Sequence, residues 1–238
     1  MFLSGRPHGE TSVIADIFTR DHGRTLGLVK GGRSRRLRPL LQTANALRVD
    51  WRARLDAQLG VYTVELSDAV AARIMDEPLA LAGALSLAAL LQMLPERDPH
   101  PRLFEAMANC IREAGTAGFP AAVVRFELRY LDELGFGLEL SRCAATGRED
   151  GLAFVSPRSG QAVSREAGAP YRDKLLPLPE FLVSGGNASP GDVVEGLRTT
   201  GYFLETHVLS ERGRQPLRVR WEFIRMLRGA PAPRRELL

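Results

Sequence analysis

The chain has 238 residues, 45% of them hydrophobic and 25% charged, with a formal net charge of +4 at pH 7. That length leaves room for two small domains with cores of their own. No apolar run is long enough to span a membrane, the stretch ahead of Arg6 has no leader pattern, and Cys110 and Cys143 make no disulfide framework, so the expectation is a cytosolic protein.

The charge is unevenly placed. Residues 1–60 hold 11 Lys/Arg, Arg54 among them, against five acids, a net of +6; the remaining 178 carry 21 basic and 23 acidic residues, a net of −2. Lysine occurs only at positions 30 and 174, so the arginine bias also fits a GC-rich genome, and clustering is the better signal. From His22 to Val49 there is no acid at all, and Lys30–Arg38 packs five positive charges and two glycines into nine residues. Such a connector suits a phosphate backbone, because Lys/Arg contacts release condensed counterions without reading sequence.

Along the chain, the first third alternates with period two. Val13, Ala15 and Ile17 share one strand face, with Ile14, Asp16 and Phe18 on the other. Thr25–Lys30 and Val61–Leu66 are β-rich, and Leu47, Val49 and Trp51 alternate with Arg48, Asp50 and Arg52. Turn residues at Gly9, Gly23 and Gly31-Gly32 separate these runs, and about five short strands predict a small barrel, of the OB type or the SH3-like type that gives a similar pattern.

The period turns helical after Ser67. Pro78–Leu94 reads as a buried helix ending at Pro95. Pro101 starts another that closes at Gly115, and a third runs from Pro120 to a cap at Gly135. Gly191–Leu209 and Pro216–Leu227 complete the helices, while Ser141–Ala169 reads as an inserted loop or β-ribbon. The expected architecture is therefore α+β in two domains. A barrel occupies 1–68 and a helical domain 69–228, with an insert at 141–169 and a disordered Pro/Arg-rich tail at 229–238.

Nothing in the sequence is arranged for catalysis. The four histidines are scattered, no phosphate-binding Gly-rich loop ends in Lys-Ser/Thr, and no serine has the setting of a hydrolase nucleophile. A non-enzymatic nucleic-acid-binding protein is expected. Lys30, Arg33, Arg35, Arg36 and Arg38 would neutralise phosphates, and Arg24, Arg48 and Arg52 would widen that surface. Phe18 and Tyr62 are candidate base-stacking rings, whereas Trp51 lies on the apolar face and reads as core. Arg125 and Arg129 flank Phe126 on the third helix, a face able to hold an acidic peptide tail. The alternative class is a protein-docking scaffold whose barrel binds partners in place of DNA.

The order and spacing of several segments resemble the RecO family of bacterial recombination mediators. They are Arg6–Ser12 with Phe18-Thr19 and His22-Gly23-Arg24, then Val29–Ser34, then Arg125–Gly137 through Cys143, and Gly201–Glu205. The resemblance implies an N-terminal OB-fold and a C-terminal helical domain. It also implies DNA binding, strand annealing and recombinase loading onto protein-coated single strands, in the cytoplasm at the nucleoid. The implied partners are RecR, in some relatives RecF, and the acidic tail of single-stranded-DNA-binding protein.

Many relatives also bind zinc through four cysteines. Here only Cys143 remains of that set, with Thr146, Ser164 and Ala167 at the other positions, so no zinc and no other cofactor is expected. The first strand starts only about five residues ahead of Arg6, which implies either a clipped barrel edge or a start codon assigned late.

Overall fold

The structure is a computed structural model that describes residues 1–53, 59–209 and 215–229, the last from the backbone alone at 215–217. Arg54 and the tail from 230 onward lie outside the described residues. Two compact units are present, Met1–Phe119 and Pro120–Leu238.

In the first unit five strands form one sheet: β1 (Phe2–His8), β2 (Ser12–Thr19), β3 (Gly23–Val29), β4 (Ala46–Arg52) and β5 (Gly60–Asp68). Their order is β1-β2-β3-β5-β4, antiparallel except for β3 against β5. The sheet curls on itself. Phe2 N–H donates to Asn45 O at 3.0 Å, Ala44 N–H to Phe2 O at 3.1 Å, and Thr43 Oγ1 to Leu3 O at 2.9 Å, which joins one edge strand to the segment entering the other. Phe2, Ala15, Ile17, Val29, Tyr62 and Val64 form the buried core inside the curl.

Strand β2 departs from the half-buried pattern that its alternation predicts. Asp16 and Phe18, on the face opposite Ala15 and Ile17, are buried as well. The reason is a second layer made by helices α1 (Val70–Ile74), α2 (Pro78–Leu91) and α3 (Pro101–Arg112), which belong to the same unit. Proline occupies the first turn of α2 and of α3, where its missing N–H costs nothing. Phe104 of α3 packs on Phe18 with ring centroids 5.8 Å apart, and Gln92 after α2 reaches Ser4 Oγ and Asp16 Oδ2.

The second unit is built around α4 (Phe119–Glu133), α6 (Pro190–Leu204) and α7 (Gln215–Leu227). Between α4 and α6 the expected ribbon is a three-stranded sheet of β6 (Leu152–Val155), β7 (Ala162–Ser164) and β8 (Leu176–Pro177), in the order β7-β6-β8. The single-turn helix α5 (Arg165–Gly168) follows β7. A capping box starts α6: Ser189 N–H donates to Asp192 Oδ2 at 2.9 Å, and Asp192 N–H returns to Ser189 Oγ at 3.2 Å. Among the described residues no helix is long and apolar enough to cross a membrane.

Candidate nucleic-acid interface

The basic stretch is a folded loop between β3 and β4. Gly31 takes φ +66°, a left-handed turn open to glycine, and lets the chain leave β3 sharply. Next to it, the Arg33 N–H donates to Thr11 O at 2.9 Å and its guanidinium to Glu10 O at 2.8 Å, tying the loop to the β1–β2 turn. Ser34 Oγ accepts the Leu37 N–H at 3.3 Å, and Ser34 O accepts the Arg38 N–H at 3.0 Å. Leu37, Leu40 and Leu41 pack against the sheet core.

The loop thus divides its residues by chemistry. Leucines anchor it inward, while Lys30, Arg33, Arg35, Arg36 and Arg38 stay exposed. Asn45 secures its far end by donating to Pro39 O and Leu40 O at 3.1 and 3.0 Å and accepting the Ala71 N–H at 2.9 Å.

The flanking arginines divide. Arg48 is exposed on β4, opposite Glu65 in register, and Arg52 is exposed in a 3.0 Å pair with Asp50. Arg24 does not widen the surface as expected. Its Nε lies 3.0 Å from both Asp16 oxygens, Nη2 is 3.0 Å from Oδ2, and Nη1 donates to Leu94 O at 3.1 Å. A guanidinium spent on a buried carboxylate and a carbonyl just past α2 is an internal strut.

The two expected stacking rings are corrected as well. Phe18 has no exposed surface, because Phe104 covers it. Tyr62 is 4% exposed and held by a 2.5 Å bond to Thr25 Oγ1; burial pushes its hydroxyl pKa up, a rise that this bond opposes. It is a core ring whose remaining surface lines a cavity of about 580 Å³ with Val49, Trp51 and Arg97. Sequence reading gave Arg97 no role. Its guanidinium carbon sits 5.5 Å from the Trp51 ring centroid, a cation–π distance.

In the second unit, Arg125 and Arg129 line a cleft of about 390 Å³ with Leu128, Leu138, Phe181 and Leu182. Arg125 donates to Gly186 O at 2.9 Å and lies 5.3 Å from the Phe181 centroid, while Arg129 is exposed, 4.0 Å from Asp132. Phe126 takes no part in this face. It is 2% exposed and turned inward beside Tyr130. Phe181, distant in sequence, supplies the ring expected of it. An exposed aromatic pair, Trp221 (55%) and Tyr202 (39%), also went unread, since each sits in an amphipathic helix pattern that reads as packing.

The positions that the resemblance marks for cysteine, Cys143, Thr146, Ser164 and Ala167, do come together. The Ser164 N–H donates to Cys143 Sγ at 3.2 Å, Ser164 Oγ lies 3.5 Å from that sulfur, and Ala167 N–H donates to Ser164 Oγ at 3.4 Å. Burial pushes the Cys143 thiol up, but bonds from the Ser164 and Thr146 side chains and from the Ser164 and Ala145 N–H groups outweigh it and bring the thiol to about 6. One sulfur, two hydroxyls and an alanine methyl are not a zinc donor set, so the residues do not fit the metal. Hydrogen bonds hold the sulfur here.

An N-terminal strand-rich sheet followed by a helical region, with an exposed basic loop on the sheet, defines an α+β protein. The sequence matches the family Recombination protein O N terminal over residues 1–70 and Recombination protein O C terminal over residues 75–216. The DNA repair protein RecO of Methylorubrum extorquens strain PA1 is 52% identical over 227 residues, 92% of either chain. That of Mesorhizobium japonicum is 50% identical over 242 residues, covering all of this chain and 95% of its own. The chain belongs to the RecO family of DNA repair and recombination proteins.

Proposed function

We propose that this protein is a non-catalytic recombination mediator that binds DNA through the β3–β4 loop, anneals complementary single strands and assists recombinase loading onto protein-coated single-stranded DNA. The observation that carries the reading is the loop itself. Lys30, Arg33, Arg35, Arg36 and Arg38 are exposed together on a segment whose leucines hold it to the core. A positioned set of cations lowers the repulsion between two strands and raises their effective concentration on one protein.

In the same proposal the Arg125/Arg129 cleft takes the acidic tail of single-stranded-DNA-binding protein, its leucines and Phe181 receiving apolar side chains and its arginines the carboxylates. RecR, with RecF in some settings, completes the set of partners, at nucleoid DNA in the cytoplasm.

The test is anisotropy of a labelled single strand titrated with the protein at several salt concentrations, followed by annealing of its complement. Salt-dependent binding with accelerated annealing is expected. Salt-insensitive, weak binding beside firm RecR binding would overturn the reading in favour of a docking scaffold.

A further inference from the structure

The cavity beside Trp51 lies within the first unit and is built by unusual backbone. Gly27 and Gly60 are partners across the parallel β3–β5 pair. A Cβ on Gly60 would fall 2.1 Å from Trp51 Nε1, and one on Gly27 would fall 2.4 Å from the Tyr62 ring. Both rings therefore lie against bare backbone. Trp51 and Tyr62 are themselves cross-strand partners, so the two rings stand side by side along one wall.

The opposite wall comes from the segment after α2. Arg97 has φ +62°, a left-handed conformation that a non-glycine residue adopts only when its surroundings hold it there. It is held there because its N–H donates to Arg24 O at 2.8 Å and because Asp98 packs on Gly23, where a Cβ would fall 1.9 Å from Asp98 O. The arrangement brings the guanidinium onto the indole.

The rim carries two carboxylates, Asp21 and Asp50, beside the Arg97 guanidinium, and Arg52 lies 3.0 Å from Asp50. A phosphate gains little here, and a further cation meets Arg97. What fits is a flat, neutral ring with hydrogen-bond donors on its edge. A volume of about 580 Å³ falls within the range of pockets that bury small ligands.

We propose that this cavity is a nucleobase pocket that stacks one base of a bound single strand on the outer face of the Arg97 guanidinium, itself laid over Trp51, with Asp21 and Asp50 accepting from exocyclic amino groups. The inference rests on the DNA-binding reading above. It gives the protein a base contact separate from the phosphate contacts of the basic loop. Cytosine, adenine and guanine offer amino donors to a carboxylate, whereas thymine offers none in that place.

Trp51 and Trp221 are the two tryptophans, so Trp221→Phe leaves Trp51 as the sole indole reporter in the full chain. Its fluorescence would be followed during titration with oligo-dC, oligo-dT and an abasic strand of equal length, with anisotropy recorded on the same samples. All three strands should bind, but only the base-bearing ones should quench. Oligo-dC should do so at a concentration roughly fivefold lower than oligo-dT, a preference erased by Asp21→Ala with Asp50→Ala. Arg97→Ala should weaken the quench while leaving abasic binding unchanged. Equal quenching by the abasic strand, or none by any strand that anisotropy shows bound, would overturn the pocket and leave the loop reading standing. No binding of any strand would remove both.

Discussion

Arg220 and Glu127 form an ion pair sealed from solvent in the second unit, with Nε 2.7 Å from Oε1 and Nη2 2.9 Å from Oε2. Thr200 Oγ1 donates to the same carboxylate, and Arg220 also donates to Leu197 O. Gly201 makes room for it, since a Cβ there would fall 2.7 Å from Arg220 Nη1. Removing one member of a buried pair strands the other charge. Glu127→Ala should therefore lower the unfolding free energy by about 3–5 kcal/mol in urea denaturation. A loss below about 1 kcal/mol would mean that water reaches the pair.

The loop prediction concerns salt. Replacing Arg33, Arg35 and Arg36 with alanine should weaken single-strand binding and reduce the slope of log K against log salt by roughly one unit for each phosphate no longer neutralised. Leu37, Leu40 and Leu41 remain to hold the loop, so the fold should persist by circular dichroism. A folded triple variant with an unaltered slope would take the loop out of the interface.

For the cleft, Arg125→Ala and Arg129→Ala should each weaken binding of a synthetic acidic peptide, by calorimetry. Arg125→Ala should cost more, because its guanidinium is held by Gly186 O and the Phe181 ring while Arg129 is exposed. Phe126→Leu, a change inside the core, should leave peptide affinity unchanged. If it alone abolishes binding, the peptide sits elsewhere.

The Cys143 sulfur gives a pH prediction. Its folded pKa, about 6, lies below the ordinary thiol value. A depressed acid stabilises the fold fully above its unfolded pKa and loses that contribution as pH falls through the folded one. The stability difference between the native protein and Cys143→Ala should thus be largest above about pH 9 and shrink steadily toward pH 6. A difference that is flat with pH would show a neutral thiol.

The same corner predicts metal behaviour. Purified protein should carry no stoichiometric zinc. Sulfurs bound to one tetrahedral zinc sit roughly 3.8 Å apart, close to the 3.5 Å between Cys143 Sγ and Ser164 Oγ. Thr146→Cys, Ser164→Cys and Ala167→Cys together should then create a site for one zinc per chain, read by mass spectrometry. Zinc in the native protein, or none in the variant, would contradict this account.

Much of the first unit was legible because strands advertise themselves by alternation and proline marks helix starts, as at Pro78 and Pro101. The loop's basic character was legible from its clustered charge and two glycines, whereas the anchoring role of Leu37, Leu40 and Leu41 was not. Phe18 and Arg24 were misread for one shared reason: their partners, Phe104, Asp16 and Leu94, include residues in or after the helices, about 70 positions or more downstream, that local pattern cannot place. Arg97 was invisible because nothing in a linker sequence announces a left-handed arginine. Gly27 and Gly60 carry no signal in the sequence, yet they are what lets Tyr62 and Trp51 lie close to the backbone.

Asn45 joins the end of the basic loop to the first turn of α1 through three hydrogen bonds from one amide. The loop's leucines and this amide together act as a ruler. A residue inserted between Arg38 and Asn45 would either break the amide's reach or push Ala46 out of step with Asp68, turning the alternation of β4 inside out. The segment should tolerate exchange of its charges far better than any change in its length. A label or crosslinker is therefore best introduced by substituting Arg35 or Arg36, never by insertion.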